Sequence, residues 1–165
     1  MKVYQNYMQQ YFEAQMTAIL EQEEAEIPQN FDLLQSFENF SCSLAIEMWI
    51  KKTKSVTISS SNYPFPSLAM KLKKELNQFQ QFFSEDDPYV TIARQGAPLT
   101  YGDGRVQFAH NHLMIYFVSK VIFEEIKATP SNFTNTYLDV RLIDHDDNYI
   151  NILAFVAGHV IHSMI

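Results

Sequence analysis

The order of apolar and polar positions predicts two amphipathic helices. The first runs from Val3 to about Ala25, where apolar residues recur in steps of three and four. The second runs from Pro66 to Phe83, and Pro66 suits an early helical position because its missing N–H costs little there. One stripe along the second helix is apolar, and it consists of Phe65, Leu68, Ala69, Leu72, Leu76, Phe79 and Phe83.

Shorter segments alternate in hydrophobicity with a period of two, which predicts strands with one buried face. The segment from Cys42 to Ile50 is the first, and we expect it to form a hairpin with a second strand around Val56 to Ile58. The remaining strands are predicted at Tyr89 to Ala93, Arg105 to Ala109, Tyr137 to Asp144 and Tyr149 to Val156. The segment from Leu113 to Ile126 starts like a strand, but residues 119–127 fit a helix or a strand.

These elements predict an α+β fold, with about six mostly antiparallel strands, an N-terminal amphipathic helix and a second helix near residues 66–83. A chain of 165 residues fits one domain with its own core, so we expect residues 1–165 to form a single domain.

Charge is segregated along the chain. The formal net charge is −7, with a strong excess of acids in residues 1–50 and an excess of lysines in residues 51–83. An acidic chain repels phosphate backbones at long range, so nucleic acid is an unlikely partner. The charge balance instead favours a basic protein partner.

Cysteine content and hydropathy indicate a cytoplasmic protein. Cys42 is the single cysteine, so the chain forms no internal disulfide, which suits a reducing compartment. The N-terminal residues carry no secretory pattern, and no apolar stretch reaches the ~20 residues of a spanning helix. We therefore expect no membrane association.

The histidines do not form a recognised metal motif. His110 and His112 are two residues apart, and His159 and His162 are three apart, but no cysteine or His-Glu-x-x-His frame accompanies them. Whether the two pairs converge is open at this stage. We predict no metal site, no cofactor and no catalytic residue; a small enzyme using His110, His112, Asp144 or His159 is one alternative.

An acidic cluster of Glu21, Glu23, Glu24 and Glu26 lies at the predicted C-terminal end of the first helix. Acids are unfavourable there because the helix dipole is negative at that end. The simpler explanation of this placement is a solvated face or a helix that ends earlier. We predict a partner-binding surface formed by this cluster together with Tyr4, Glu85, Asp86 and Asp87.

In size, charge and lack of a catalytic signature the chain is similar to small acidic immunity or antitoxin proteins, which cover the basic active-site cleft of a toxin. The first hypothesis is therefore a non-enzymatic protein-binding module that neutralises a basic partner. The alternative in the same class is an oligomeric scaffold or chaperone-like module, in which the acidic first helix of one subunit meets the lysine-rich segment of another.

Overall fold

The computed structural model of the protein describes residues 2–22, 27, 31–58, 79–84, 86–128 and 147–163. Its helices are α1 (Lys2–Leu20), α2 (Leu33–Ile50), α3 (residues 79–83), α4 (Pro88–Gly96), α5 (Asn111–Ala128) and α6 (Asp147–Ser163). Its strands are β1 (Val56–Thr57), β2 (Leu99–Gly102) and β3 (Arg105–Phe108). The described part of the chain is thus mainly helical with one three-stranded antiparallel sheet, so the prediction of about six strands is wrong.

Helix α2 replaces the strand predicted from Cys42 to Ile50. Its buried residues recur with helical spacing over the whole element: Leu33, Phe37, Phe40, Ser41, Leu44, Ala45, Met48 and Trp49. Asp32 begins the helix as its N-cap, since its side chain accepts a hydrogen bond from the Gln35 N–H at 3.0 Å. The alternation after Cys42 was one part of a longer helical pattern that starts before it.

Helix α4 replaces the strand predicted from Tyr89 to Ala93. Asp87 is its N-cap and accepts hydrogen bonds from the backbone N–H groups of Tyr89 (2.9 Å) and Val90 (3.3 Å). Pro88 follows in the first turn, where its fixed φ favours a helix. This start signal outweighs the β propensity of the residues after it.

The sheet has the strand order β1-β3-β2, and both pairings are antiparallel. Strands β2 and β3 form a two-residue hairpin, in which Asp103 (φ 51°) and Gly104 (φ 69°) occupy the turn. Positive φ at both positions is what a type I′ turn requires, and Asp-Gly is a preferred sequence for it. The strands predicted near Val56 and from Arg105 are confirmed; the hairpin predicted between residues 42–50 and 56–58 is wrong, because β1 pairs with β3.

Helix α5 settles the ambiguous segment as one continuous helix. Every residue from Leu113 to Ser119 is buried, because α5 packs between α2 and α6 and also contacts β3. A helix that is buried on all sides shows no amphipathic period, which is why this segment resembled a strand.

Helix α6 replaces the strand predicted from Tyr149 to Val156, and Asp147 is its first residue. The strand predicted from Tyr137 to Asp144 lies outside the described residues.

The two helices predicted from amphipathic stripes agree with the structure where it describes them. Helix α1 is confirmed, although it ends at Leu20 rather than near Ala25. Of the helix predicted from Pro66 to Phe83, only residues 79–83 are described, and they are helical with Phe79 buried. Leu72 and Leu76, which the stripe places in the core, lie outside the described residues.

The core is rich in aromatic rings where α1, α2 and α5 meet. Phe12 packs against Phe37 and Phe117 at centroid distances of 6.0 and 6.3 Å, and Phe108 of β3 packs on Phe117 at 5.8 Å. Helix α1 also contacts α4. None of the described helices combines the length and the apolarity needed to cross a lipid bilayer.

Candidate functional site

Helix α1 buries one stripe and leaves its two flanks to line two separate clefts. Met8, Phe12 and Ile19 form the buried stripe. Because successive residues turn by about 100°, Tyr7 falls on one flank of that stripe and Gln9 on the other. The tyrosine flank faces the start of α5, and the glutamine flank faces α2 and the middle of α5.

The first cleft encloses about 400 Å³ between α1 and the start of α5. Leu113 lines its base, and most of its lining is apolar. Val3 and Tyr7 line this cleft and are 78% and 52% exposed. Tyr101 of β2 is also exposed (56%), and it lies close enough to Tyr11 to raise the pKa of that residue. We define the tyrosine surface as Val3, Tyr4, Tyr7, Tyr101, His110 and His112.

Tyr11 links the parts of the tyrosine surface. Its ring stacks on Tyr7 at 6.5 Å, and its hydroxyl donates a hydrogen bond to the Ala97 carbonyl at 3.3 Å. Burial raises the pKa of Tyr11, and the neighbouring Tyr7 and Tyr101 raise it further. Burial also raises the pKa of Tyr101, although Arg94 opposes this effect. These phenols therefore stay protonated and act as neutral hydrogen-bonding groups near pH 7.

Of the predicted partner-binding residues that the structure describes, Tyr4 belongs to this surface. It is partly buried, stacks on Tyr116 at 6.0 Å and meets Phe155 edge-on at 5.2 Å. Its ring thus joins α1 to α5 and α6, whereas Tyr7 is 52% exposed. Tyr4 therefore supports the surface from below, and the Tyr7 ring is exposed to solvent.

The predicted acidic residues that the structure describes lie away from this surface. Glu21 is exposed just after the end of α1, and Asp86 is exposed before α4, where Ser84 is its hydrogen-bond partner. Asp87 has the structural role of capping α4. The other predicted acids lie outside the described residues: Glu23, Glu24, Glu26 and Glu85. Within the described ranges, no hydrogen bond or ion pair brings Glu21 to Asp86 or Asp87.

The histidines separate into two environments. His110 and His112 are exposed at the start of α5, whereas His159 of α6 is buried and stacks on Phe123 at 5.2 Å. The His159 ring also lies 6.0 Å from that of Tyr116, so it is enclosed between two aromatic residues of α5, whereas His110 and His112 are exposed. Among the residues that the structure describes, no three His, Cys, Asp or Glu side chains are grouped so as to hold a metal ion.

The second site is a polar groove between α2 and α5. Glu38 of α2 and Lys120 of α5 form an ion pair across it, and both side chains are more than two-thirds buried. The groove consists of two clefts of about 480 and 580 Å³, and Glu38 and Lys120 line both of them. Around the smaller cleft the polar residues are Gln5, Asn6, Gln9, Asp32 and Gln35.

Tyr116 and Cys42 lie beneath this ion pair, on α5 and α2. Burial raises the pKa of the Cys42 thiol to about 12, and the Glu38 charge raises it while Lys120 lowers it. Burial and the Glu38 charge also raise the pKa of Tyr116. A thiol that stays protonated is a poor nucleophile, which agrees with a structural role for Cys42.

Sequence reasoning missed Tyr101, Glu38 and Lys120. The Asp-Gly turn was a signal for Tyr101, because a two-residue hairpin places the residue before Gly102 on a strand. Lys120 is the single charged residue in the apolar run from Leu113 to Phe123. Because a lysine in a buried segment is usually paired with an acid, this position indicated an ion pair. Nothing in the sequence indicates that Glu38 is that partner, 82 residues away.

Comparison with protein-family models, with curated proteins and with solved structures finds no match to this chain.

Proposed function

We propose that the protein is a non-enzymatic protein-binding module that anchors a basic protein partner on the tyrosine surface. The observation that carries this proposal is the cleft lined by Val3, Tyr4, Tyr7, His110 and His112. Tyr101 is exposed near Tyr11, on which the Tyr7 ring stacks. Tyrosine supplies a large contact area with a polar end and is enriched in binding hot spots. An apolar cleft of this kind suits one inserted side chain of a partner.

The charge of the whole chain, rather than of this surface, favours a basic partner. The net charge of −7 attracts a basic protein at long range and raises its association rate. The tyrosine surface carries two histidines and lies near Arg94, so short-range affinity comes from its aromatic contacts. An immunity or antitoxin-type inhibitor in the cytoplasm, acting on a basic toxin, is the form of this function that we propose.

The test compares capture from the native host by three forms of the tagged protein: wild type, Tyr7→Ala/Tyr101→Ala, and a control, Tyr89→Ala. Tyr89 is a suitable control because it is similarly exposed (49%) but lies at the start of α4. We expect quantitative mass spectrometry to find a basic protein that the wild type and the control retain and the double variant loses. An identical set of proteins from all three forms would contradict the proposal.

Self-association is a second candidate, favoured by helix α6. Its inner face is buried through Ile152 and Val156, while its outer face exposes a stripe without charged residues. This stripe consists of Ile150, Leu153, Ala154, Ala157, Val160 and Ile161. Two copies could pair through it without like-charge repulsion. Analytical ultracentrifugation of the wild type and of Ile150→Glu/Ile161→Glu tests this candidate. A wild-type dimer that the double variant does not form supports self-association, and a wild-type monomer contradicts it.

A further inference from the structure

The polar groove between α2 and α5 has features of a small-molecule site that are independent of the tyrosine surface. Glu38 and Lys120 form an ion pair between two helices, and clefts open on both sides of it. Apolar side chains form part of the smaller cleft, namely Met8, Phe12 and Leu34. The groove therefore offers opposite charges, neutral amides and an apolar wall to a single ligand.

Tyr116 adds a polar group to the smaller cleft. Its side chain lines this cleft although the residue is 2% exposed, and the charge on Glu38 acts on its hydroxyl. A phenol hydroxyl both donates and accepts hydrogen bonds, so it offers a further contact to a ligand in this cleft.

The ion pair itself restricts the chemistry of the ligand. A ligand with only a positive charge that binds Glu38 would leave Lys120 without its partner, and one with only a negative charge would leave Glu38 without its partner. Both side chains are more than two-thirds buried, so leaving either charge uncompensated is unfavourable. A ligand with both charges replaces both partners at once.

We propose that this groove binds a free α-amino acid, with its ammonium group on Glu38 and its carboxylate on Lys120. The two charged groups of an α-amino acid are attached to one carbon atom, a spacing that suits two protein charges in direct contact. Asp32 gives the cleft a second carboxylate against one lysine ammonium, so the side chain favoured is basic. Lysine and arginine therefore bind more tightly than glutamate.

The experiment titrates the full chain with four probes by calorimetry: L-lysine, L-arginine, L-glutamate and cadaverine. Cadaverine is lysine without its carboxylate, so it tests the need for both charges. We expect saturable binding of lysine and arginine, and at least tenfold weaker binding of glutamate and cadaverine. No saturable binding of any amino acid, or equal binding of cadaverine and lysine, would overturn the proposal.

Substitutions in the groove test whether lysine binds there. Glu38→Gln, Lys120→Met and Tyr116→Phe should each weaken lysine binding, the first two by at least tenfold. The control variants are Glu47→Gln and Lys51→Met, because this ion pair on α2 has similar burial (27% and 30% exposed) and does not line the groove. Circular dichroism shows whether each variant is folded. If the charge variants do not fold, Tyr116→Phe still tests the groove, because it keeps both charges. Lysine binding unchanged in the folded groove variants would also overturn the proposal.

Discussion

Replacing Gly96 with alanine places a methyl group where the aromatic ring of Phe37 already lies. Gly96 is buried at the end of α4, and an added Cβ there would overlap the ring. Phe37 is fully buried and also packs on Phe12, so its ring has little room to move away. The change therefore overpacks the junction of α2 and α4.

The magnitude follows from two opposing effects. Overpacking of a well-packed core costs about 1–3 kcal/mol. Alanine is favoured over glycine inside a helix by up to about 1 kcal/mol, and less at the last helical residue. We therefore expect Gly96→Ala to lower the free energy of unfolding by about 1–2 kcal/mol, which shifts Tm by roughly 2–4 °C per kcal/mol in a chain of this size.

The assay is urea denaturation of a double-mutant cycle with Phe37→Leu. The smaller side chain leaves room for the alanine methyl group, so the two changes together should cost at least about 0.5 kcal/mol less than the sum of the single changes. Gly102→Ala is the control, because nothing lies within 4 Å of the added Cβ. Gly96→Ala as stable as the wild type, or strictly additive costs in the cycle, would refute this packing.

Three further predictions concern capping, ionisation and charge. Asp87→Ala should cost about 0.5–2 kcal/mol in urea denaturation, because it removes the N-cap of α4, whereas Asp87→Asn should cost less. The free energy of unfolding should fall as the pH rises from about 9 to 12, because folded Cys42 keeps its proton (pKa about 12) while the unfolded chain loses it; denaturation of Cys42→Ala across this range should show a shallower fall. Neutralising the acidic cluster to glutamine should leave stability unchanged or slightly higher, and should slow association with the partner and flatten its salt dependence in stopped-flow measurements. This last variant changes Glu21, Glu23, Glu24 and Glu26.

The sequence pattern predicted those elements that bury one face and expose the other. Helix α1 has one buried stripe and was found, and the strand from Arg105 alternates between buried and exposed residues and was found as well. Helices α5 and α6 are apolar around most of their circumference, so their period was hidden, and β-branched residues favoured a strand. The sequence Asp87-Pro88 is a recognisable helix start, but the residues after it favour a strand. The packing of α4 against α2 stabilises the helix over the strand.

The candidate sites were less predictable because both assemble distant segments. The proximity of Tyr4 and Tyr7 follows from helical spacing, but only the tertiary structure brings His112 to them and Tyr101 near Tyr11. The pairing of Glu38 with Lys120 depends on the register of α2 against α5. Neither arrangement leaves a local pattern in the sequence.

Hydrogen–deuterium exchange of the protein, alone and with its purified partner, tests the tyrosine surface most directly. Amides that a partner covers exchange more slowly, and peptide-level mass spectrometry locates them along the chain. We expect slowed exchange in the first two turns of α1 and across residues 99–112, which include β2 and the start of α5. Slowed exchange confined to other segments, such as α6 or the start of α4, would contradict the binding surface proposed for this protein.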